Sequence, residues 1–153
     1  MASGRIRTAV AGDGDALARM RAELWPDSPV EEHARELRMI LAGQAGAASV
    51  LVLVWETNGG TLAGFAETRL RSHADGCDES RPVGYLEGWF VKEEHRRQGI
   101  GAALLRAVED WARGQGCKEM ASDAEIANEV SQRVHEALGF QAGSRVVTYR
   151  KSL

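Results

Sequence analysis

The sequence has no apolar run long enough to cross a membrane. Its longest uninterrupted run, Val50 to Trp55, is far shorter than the roughly 20 residues that a transmembrane helix needs. The segment from Met1 to Ala11 carries two arginines among small residues but lacks the apolar core of a secretory signal. We therefore expect a cytoplasmic protein that has no membrane partner.

Cysteine is scarce, and there is no excess of basic charge. Cys77 and Cys117 are far apart in the chain, and neither has a second cysteine or a histidine at metal-ligand spacing. We expect two reduced thiols and no metal site. The 19 basic residues are outnumbered by 22 acidic ones, giving a net charge of −3. Because phosphate binding normally leaves a basic footprint, we expect no nucleic-acid partner.

The length and composition fit one ordinary domain. The chain has 153 residues, and 44% of them are hydrophobic, which is enough for a single core. It contains no internal repeat, no low-complexity tract and no linker that would divide it. We therefore expect a single domain over residues 1–153.

The hydrophobic pattern predicts an α/β protein with a mixed sheet covered by helices, in the order β-α-α-β-β-β-α-β-α-β. The strands are predicted over Arg5–Val10, Ser49–Glu56, Thr61–Leu70, Val83–Lys92, Lys118–Asp123 and Gln141–Arg150, and the pattern of the last segment fits either a strand or a hairpin. The helices are predicted from Asp13 or Asp15 to Trp25, and over Ser28–Gly43, Gly99–Arg113 and Asn128–Leu138. Asn58-Gly59 predicts a tight turn between the second and third strands.

A glycine-bearing turn lies between the predicted strand ending at Lys92 and the predicted helix starting at Gly99. A helix N-terminus presents free backbone N–H groups and the positive end of the helix dipole, so the turn could bind an anion such as a pyrophosphate. Tight packing of the helix on the strand would explain the glycines equally well. Leu104 fails the small-residue requirement of a dinucleotide-binding turn, and the Gly-Lys-Ser/Thr of a Walker loop is absent.

Acidic residues are concentrated in two segments. His73 to Glu87 contains four acids against one base, and Met120 to Glu129 contains three acids and no base. If the two segments meet in space, they form a site for a cation.

The turn is similar to the pyrophosphate-binding signature Arg/Gln-x-x-Gly-x-Gly/Ala of the GNAT superfamily of acetyl-CoA-dependent N-acetyltransferases. Here it reads Arg96-Arg97-Gln98-Gly99-Ile100-Gly101. A second family segment, an asparagine followed by a helix that ends in Gly-Phe, matches the stretch from Asn128 to Phe140. Within the superfamily, the chain most resembles the aminoglycoside 6′-N-acetyltransferases. That resemblance rests on residues 85–91, 117–123, 131–140 and 149–151 and on Trp25-Pro26.

The resemblance implies an enzyme that moves an acetyl group from acetyl-CoA to the 6′-amine of an aminoglycoside, a small-molecule polyamine. The coenzyme residues that it implies are Phe90, Val91, Arg96, Arg97, Gln98, Gly99, Ile100, Gly101, Ala102, Asn128 and His135. The substrate residues that it implies are Trp25, Asp75, Glu79, Glu87 and Asp123. A homodimer is possible, since family members often form one.

Two catalytic assignments stay open. A primary amine has a pKa of about 10, so a base must accept its proton, and Glu87 and Asp123 are the candidates. The acid for the leaving thiolate is either Tyr149 or His135, which stands where many family members carry a tyrosine. Each candidate also has a structural explanation: an arginine pair for Glu87, a helix cap for Asp123, a surface position for His135 and a strand position for Tyr149. Trp25 could likewise be ordinary core.

Two other functions fit the sequence. The chain could acetylate another amine, such as a protein N-terminus, a lysine or a polyamine. It could also be a non-catalytic module that binds acetyl-CoA.

Overall fold

A computed structural model describes residues 2–43 and 50–153, and it confirms the mixed α/β class. Ser49, the first residue of the second predicted strand, lies outside the described residues. The strands are β1 (Gly4–Thr8), β2 (Val50–Thr57), β3 (Leu62–Arg71), β4 (Val83–Val91) and β5 (Met120–Ser122). The helices are α1 (Gly14–Leu24), α2 (Val30–Gly43), α3 (Ile100–Gly114) and α4 (Glu129–Ala137).

The five strands form one sheet in the order β1-β2-β3-β4-β5. The first four are antiparallel to their neighbours, and β5 runs parallel to β4 after the crossover through α3. The predicted turn at Asn58-Gly59 is confirmed as the link between β2 and β3. Gly60 takes the left-handed conformation there, with φ of 81°, and its N–H donates to the Thr57 carbonyl.

Helices cover both faces of the sheet. On one face α1 and α2 pack on alternate strand residues, and on the other face α3 packs on the residues between them. The first core contains Leu17, Met20, Leu37, Val52, Val54, Phe65 and Phe90. The second contains Leu53, Ala63, Ala66, Leu86, Ile100, Leu104, Leu105 and Val108. In the described part of the chain, no helix combines the length and apolarity needed to span a membrane.

A bulge interrupts β4 in its middle. Glu67 of β3 is opposite Gly88, but the next residue, Thr68, is opposite Leu86, which leaves Glu87 as the extra residue. The parallel pairing of β5 with β4 covers residues 84–86 and reaches no further. Beyond the bulge, the edge of β4 that faces away from β3 therefore has no β5 partner.

Asp13 is placed differently from its predicted role as a helix cap. It ends a 3₁₀ turn, Ala11–Asp13, and makes no side-chain cap to α1. Its carboxylate accepts two hydrogen bonds from the Arg7 guanidinium, at 2.7 and 2.9 Å, and one from the Val10 N–H at 2.8 Å. Arg7 also donates to Glu56 of β2, so an ion-pair network joins the start of α1 to two strands.

The prediction of a last strand over Gln141–Arg150 is wrong for this structure. Residues 141–153 are described but have no regular secondary structure, and all are exposed. The prediction of β5 over Lys118–Asp123 was also too long, because only Met120–Ser122 is paired. A three-residue strand at the edge of the sheet gives the end of the same chain little backbone to pair with.

We expect Asp13→Asn to lower the free energy of unfolding at pH 7 by about 1–3 kcal/mol, because a largely buried charged acceptor is lost. Arg7 holds the pKa of Asp13 below its usual value. The stabilisation is therefore complete above the ordinary pKa of about 3.9 and is lost as the pH falls through the lower folded value. Urea unfolding of both proteins from pH 7 to pH 3 tests this.

Asp15→Asn is the matched control, because Asp15 is exposed on the same helix. It should change the free energy of unfolding by no more than about 0.5 kcal/mol. Equal stability of Asp13→Asn and wild type at pH 7 would contradict the role given to the network.

Candidate active site

Glu87, the bulged residue of β4, is held by two arginines of β3. The Arg71 guanidinium donates to Oε1 from Nε at 3.1 Å and from Nη2 at 2.7 Å, and Nη2 also reaches Oε2 at 2.9 Å. Arg69 Nε lies 3.6 Å from Oε1. The arginine pair considered for Glu87 at the level of sequence is therefore present, and it leaves the carboxylate at a partly open surface.

Asp123 is connected to the same surface through Tyr85 of β4. The Tyr85 hydroxyl donates to Asp123 Oδ2 at 2.7 Å, and the Arg71 guanidinium carbon lies 3.5 Å from the centre of the Tyr85 ring. Burial and the neighbouring carboxylate raise the pKa of Tyr85 to about 12, so its proton stays in place. Asp123 does not cap α4, since Asn128 accepts the Ser131 N–H there.

Trp25 lies against Gly88, the residue that follows Glu87. A Cβ atom on Gly88 would lie 2.6 Å from the Trp25 ring, so only glycine allows the indole to sit this close to the bulge. The Arg21 guanidinium carbon lies 5.0 Å from the centre of the Trp25 ring, and Arg21 Nε lies 3.6 Å from Glu67 Oε2. Both members of this pair are buried, and burial raises the pKa of Glu67. We call Trp25, Tyr85, Glu87 and Asp123 the acidic face.

The two acidic segments of the sequence do meet. The Tyr85–Asp123 hydrogen bond joins them, and the backbone N–H of Asp78 donates to the carboxylate of Glu119, the residue before β5, at 2.7 Å. Asp75 and Glu79 lie on this loop with largely exposed carboxylates, 3.4 and 3.7 Å from the two ring nitrogens of His73. They form an outer acidic rim.

The unpaired edge of β4 beyond the bulge contains Phe90 and Val91. The Val91 carbonyl accepts a hydrogen bond from Arg96 Nε at 2.8 Å, and the Arg96 guanidinium lies 5.7 Å from the centre of the Phe90 ring. Phe90 belongs to the core under α1 and α2, whereas Val91 packs toward α3. This edge therefore lies between the two layers and is open to an added strand-like ligand.

The turn before α3 has two residues in left-handed conformations, Arg97 with φ of 59° and Gly99 with φ of 81°. The Ala103 N–H bonds to the Gly99 carbonyl, which leaves the N–H groups of residues 100–102 without an intrahelical partner. Arg96, Arg97, Gln98 and Gly99 are exposed around these donors. The turn thus offers the free backbone donors that the anion site predicted from the sequence would need.

Gly101 has different surroundings from Gly99. A Cβ on Gly99 would meet nothing within 4 Å, so Gly99 is required by its backbone angle. A Cβ on Gly101 would lie 3.4 Å from the Trp89 ring, and Trp89 Nε1 donates to the Gly101 carbonyl at 3.0 Å. A Cβ at 3.4 Å would be in ordinary contact, so the packing of α3 on Trp89 does not require glycine at this position.

His135 joins α4 to the sheet. Its Nε2 lies 2.9 Å from Ser122 Oγ of β5, and its Nδ1 lies 2.7 Å from the Ser131 carbonyl one turn earlier. The ring is flanked by Trp89 and Phe140, with centroids at 5.6 and 5.2 Å. Because Nδ1 must donate to the carbonyl in this arrangement, Nε2 of the neutral ring is an acceptor.

Tyr149 is not brought to this site within one chain. It lies on the C-terminal segment and is 92% exposed. Sequence reasoning also missed Arg69, Arg71 and Tyr85 as site residues. Arg69 and Arg71 alternate along β3 and so share a face, but their approach to Glu87 depends on the register at the bulge.

Comparison with known proteins gives a consistent result. Residues 17–140 match the model of the Acetyltransferase (GNAT) family. An aminoglycoside N(6′)-acetyltransferase type 1 from Klebsiella aerogenes is 40% identical over 97% of this chain and 96% of its own. The enzyme of the same name from Serratia marcescens is 46% identical over 91% of this chain and 92% of its own.

Solved structures show the same similarity. An aminoglycoside N-acetyltransferase in complex with CoA superposes with a TM-score of 0.88 at 35% identity, covering 100% of this chain and 97% of that chain. A structure bound to the bisubstrate analogue CoA-S-monomethyl-acetylneamine has a TM-score of 0.87 at 35% identity, covering 99% and 100%. An aminoglycoside 6′-N-acetyltransferase from Acinetobacter baumannii has a TM-score of 0.87 at 34% identity, covering 99% of both chains.

We expect His135→Phe to lower the free energy of unfolding by about 1–3 kcal/mol, because Ser122 and the Ser131 carbonyl both lose a partly buried partner. Thermal unfolding followed by circular dichroism measures the change. Gln132→Leu is the control on the same helix, since it removes exposed hydrogen bonds to the carbonyls of residues 125 and 126 and should cost less. A larger loss in the control would refute the joining role of His135.

Proposed function

This chain belongs to the Acetyltransferase (GNAT) family, and we propose that it transfers the acetyl group of acetyl-CoA to the 6′-amine of aminoglycoside antibiotics. The deprotonated amine attacks the thioester directly. The observation that carries the proposal is the position of the acidic face, which begins at the bulge where the unpaired edge of β4 also begins. An amine and a strand-like coenzyme would therefore meet at one point of the sheet. The relatives are named for the same acetyl transfer, aminoglycoside N(6′)-acetyltransferase, and we propose that this activity confers resistance here.

The coenzyme half of the site uses backbone groups. The free edge at Phe90 and Val91 can pair with the amides of a pantetheine arm, as an added strand would. The N–H groups at the start of α3 suit a pyrophosphate, and Arg96 and Arg97 add positive charge beside them. Bound there, acetyl-CoA supplies the activated acyl group. Gln98, Ile100 and Ala102 contribute main-chain positions rather than side-chain chemistry.

The amine half of the site uses the acidic face. A substrate ammonium has a pKa of about 10, so it must lose a proton before it attacks. Glu87 and Asp123 are the two carboxylates that can accept this proton, directly or through water, and both assignments remain proposals. Trp25 offers a flat wall against a sugar ring, while Asp75 and Glu79 attract further ammonium groups at the rim.

The leaving thiolate needs little help, because a thiol pKa of about 8.5 lets it depart near neutral pH. His135 is a candidate acid that lies next to Trp89 at the coenzyme edge. Its two ring nitrogens already have partners, so proton donation would require Ser122 or Ser131 to move. Tyr149 is the other candidate. Because its side chain is exposed on the C-terminal segment, it could act as the acid only at the site of another copy of the chain. The side-chain oxygen of Asn128 accepts the Ser131 N–H and so caps α4.

We also propose that the protein is a homodimer held by its C-terminal segment. Seven of the ten large hydrophobic residues that are exposed in the described chain lie between Ile126 and Leu153. The outer edge of β5 is the edge of the sheet in the described chain, and edges of this kind pair readily with another strand. If residues 141–153 of one copy pair with β5 of the other, the exposed hydrophobic residues and the free edge of β5 are both covered. This arrangement would bring Tyr149 beside the partner's site.

A cytoplasmic location belongs to the same proposal. Cys77 and Cys117 are both free, and unpaired thiols are typical of a reducing compartment.

We expect thiol release with kanamycin and little with a lysine peptide, because several ammonium groups together engage the acids while one does not. The apparent affinity should fall as salt rises, since surface attraction is screened over about 10 Å at 0.1 M. Glu87→Gln and Asp123→Asn should each lower kcat/KM by about 10²-fold or more, the effect of losing a positioned base or its partner. Initial rates of thiol release give all of these values.

Asp75→Asn and Glu79→Gln are the controls, because they remove the same charges from the exposed rim and should cost less. Equal activity on the peptide would indicate a different amine substrate. Coenzyme binding in calorimetry without turnover on any amine would indicate a binding module. Wild-type rates from both Glu87→Gln and Asp123→Asn would exclude the acidic face.

For the dimer, we expect twice the chain mass of 16.6 kDa in sedimentation equilibrium. Val146→Asp/Val147→Asp should shift the protein to the monomer, because charges would replace the apolar contacts of the segment. Gly143→Asp/Ser144→Asp adds the same charge at exposed positions nearby and should remain dimeric. A monomeric wild type, or a dimeric double-valine variant, would contradict the proposal.

A further inference from the structure

Arg71 occupies the acidic face with a positive charge of the chain's own. Its guanidinium makes three hydrogen bonds to Glu87 and stacks 3.5 Å above the Tyr85 ring, whose hydroxyl in turn is bound to Asp123. A carboxylate, an aromatic face and a second carboxylate are the groups that recognise an organic cation. In the structure the cation that they hold is Arg71.

We propose that Arg71 is an internal competitor of the substrate amine, and that an aminoglycoside binds productively by displacing the Arg71 guanidinium from Glu87 and Tyr85. This inference rests on the function proposed above. It makes Arg71 a specificity-determining residue that selects for molecules with several positive charges.

The hydrogen bonds show why the two cations compete. A carboxylate offers about four lone-pair positions, and Arg71 uses three of them on Glu87. Arg69 stands 3.6 Å from the same Oε1, so the charge of Glu87 is already more than balanced by two guanidinium groups. An ammonium that approaches Glu87 therefore meets repulsion until Arg71 moves.

Arg71 is placed so that it can move. It is the last residue of β3, its side chain is 40% exposed, and every contact described above is made by the guanidinium at the end of a flexible stem. With the guanidinium in place the Glu87 side chain is 21% exposed, so an ammonium that takes the guanidinium's position binds a carboxylate that is partly shielded from water. The freed Tyr85 ring offers the same ammonium a cation–π contact.

The competition favours polycations. For a molecule with one amine, the binding free energy of a single ammonium group must offset the loss of the Arg71 contacts. An aminoglycoside has further ammonium groups, which Asp123 and the rim carboxylates Asp75 and Glu79 can hold while the guanidinium leaves. The displacement thus costs a monoamine relatively more than it costs a polyamine.

Arg71→Met tests the proposal. We expect the KM for kanamycin to fall by about three- to tenfold, the range for a partly exposed ion pair together with a cation–π contact. The KM for a simple alkyl monoamine should fall further, and kcat for kanamycin should stay near the wild-type value. Added guanidinium ion, far below denaturing concentrations, should raise the KM of Arg71→Met toward the wild-type value and should leave wild type almost unchanged. Sodium at equal ionic strength controls for screening.

Arg69→Met is the matched control. Arg69 has nearly the same exposure and also lies beside Glu87, but it makes the single longer contact at 3.6 Å and not the stack on Tyr85. Arg69→Met removes the same charge but breaks only that longer contact. It should therefore lower KM less than Arg71→Met does, and its KM should not respond to added guanidinium. If the two variants change KM equally, Arg71 acts only through its positive charge, and the proposal is overturned.

The two failures can be told apart. If wild type releases no thiol with any aminoglycoside, the proposed function fails and the competition falls with it. If wild type is active but Arg71→Met has an unchanged or higher KM, or a strongly reduced kcat, Arg71 orients Glu87 and does not compete with the substrate. A circular dichroism spectrum equal to that of wild type confirms that the variant is folded.

Discussion

One extra residue in β4 determines the arrangement of the site. With Glu87 inserted opposite the Glu67–Thr68 pair, β4 changes direction and leaves β5 after three residues of parallel pairing. The strand edge beyond the bulge is then open, and the side chain at the bulge faces the arginines of β3. Trp25 can approach because Gly88 follows the bulge directly. The open edge and the acidic face therefore have a single cause.

Local signals predicted the elements that local sequence determines. The turn at Asn58-Gly59, the apolar stripe of α3 and the helix that follows Asn128 each depend on residues a few positions apart. The strand predicted over Gln141–Arg150 contains β-branched and aromatic residues typical of strands, but it has no strand partner among the described residues, and an unpaired strand has unsatisfied hydrogen bonds. Residue preference is a property of the segment, whereas pairing depends on what lies beside β5.

The candidate site was predictable in part. Glu87 and Asp123 stand out in the sequence because each is an acid at a strand position, and their connection through Tyr85 follows from the pairing of β4 with β5. Arg71 could not be assigned from sequence, since its approach to Glu87 depends on a one-residue shift in register. The same is true of Arg21 and Glu67, which come from a helix and a strand and meet only in the packed core.

From Gly88 onward, successive residues of β4 face opposite sides of the sheet, and this separates the acidic face from the turn before α3. Trp89 supports the turn before α3, while Gly88 and Glu87 face the acidic side. A mutation at Arg69, Arg71 or in the loop around Glu79 therefore alters the surface proposed to bind the aminoglycoside without changing the packing of Trp89 against the turn before α3. In a population exposed to changing antibiotics, single substitutions on this surface can change which drugs are acetylated while the binding of acetyl-CoA is retained.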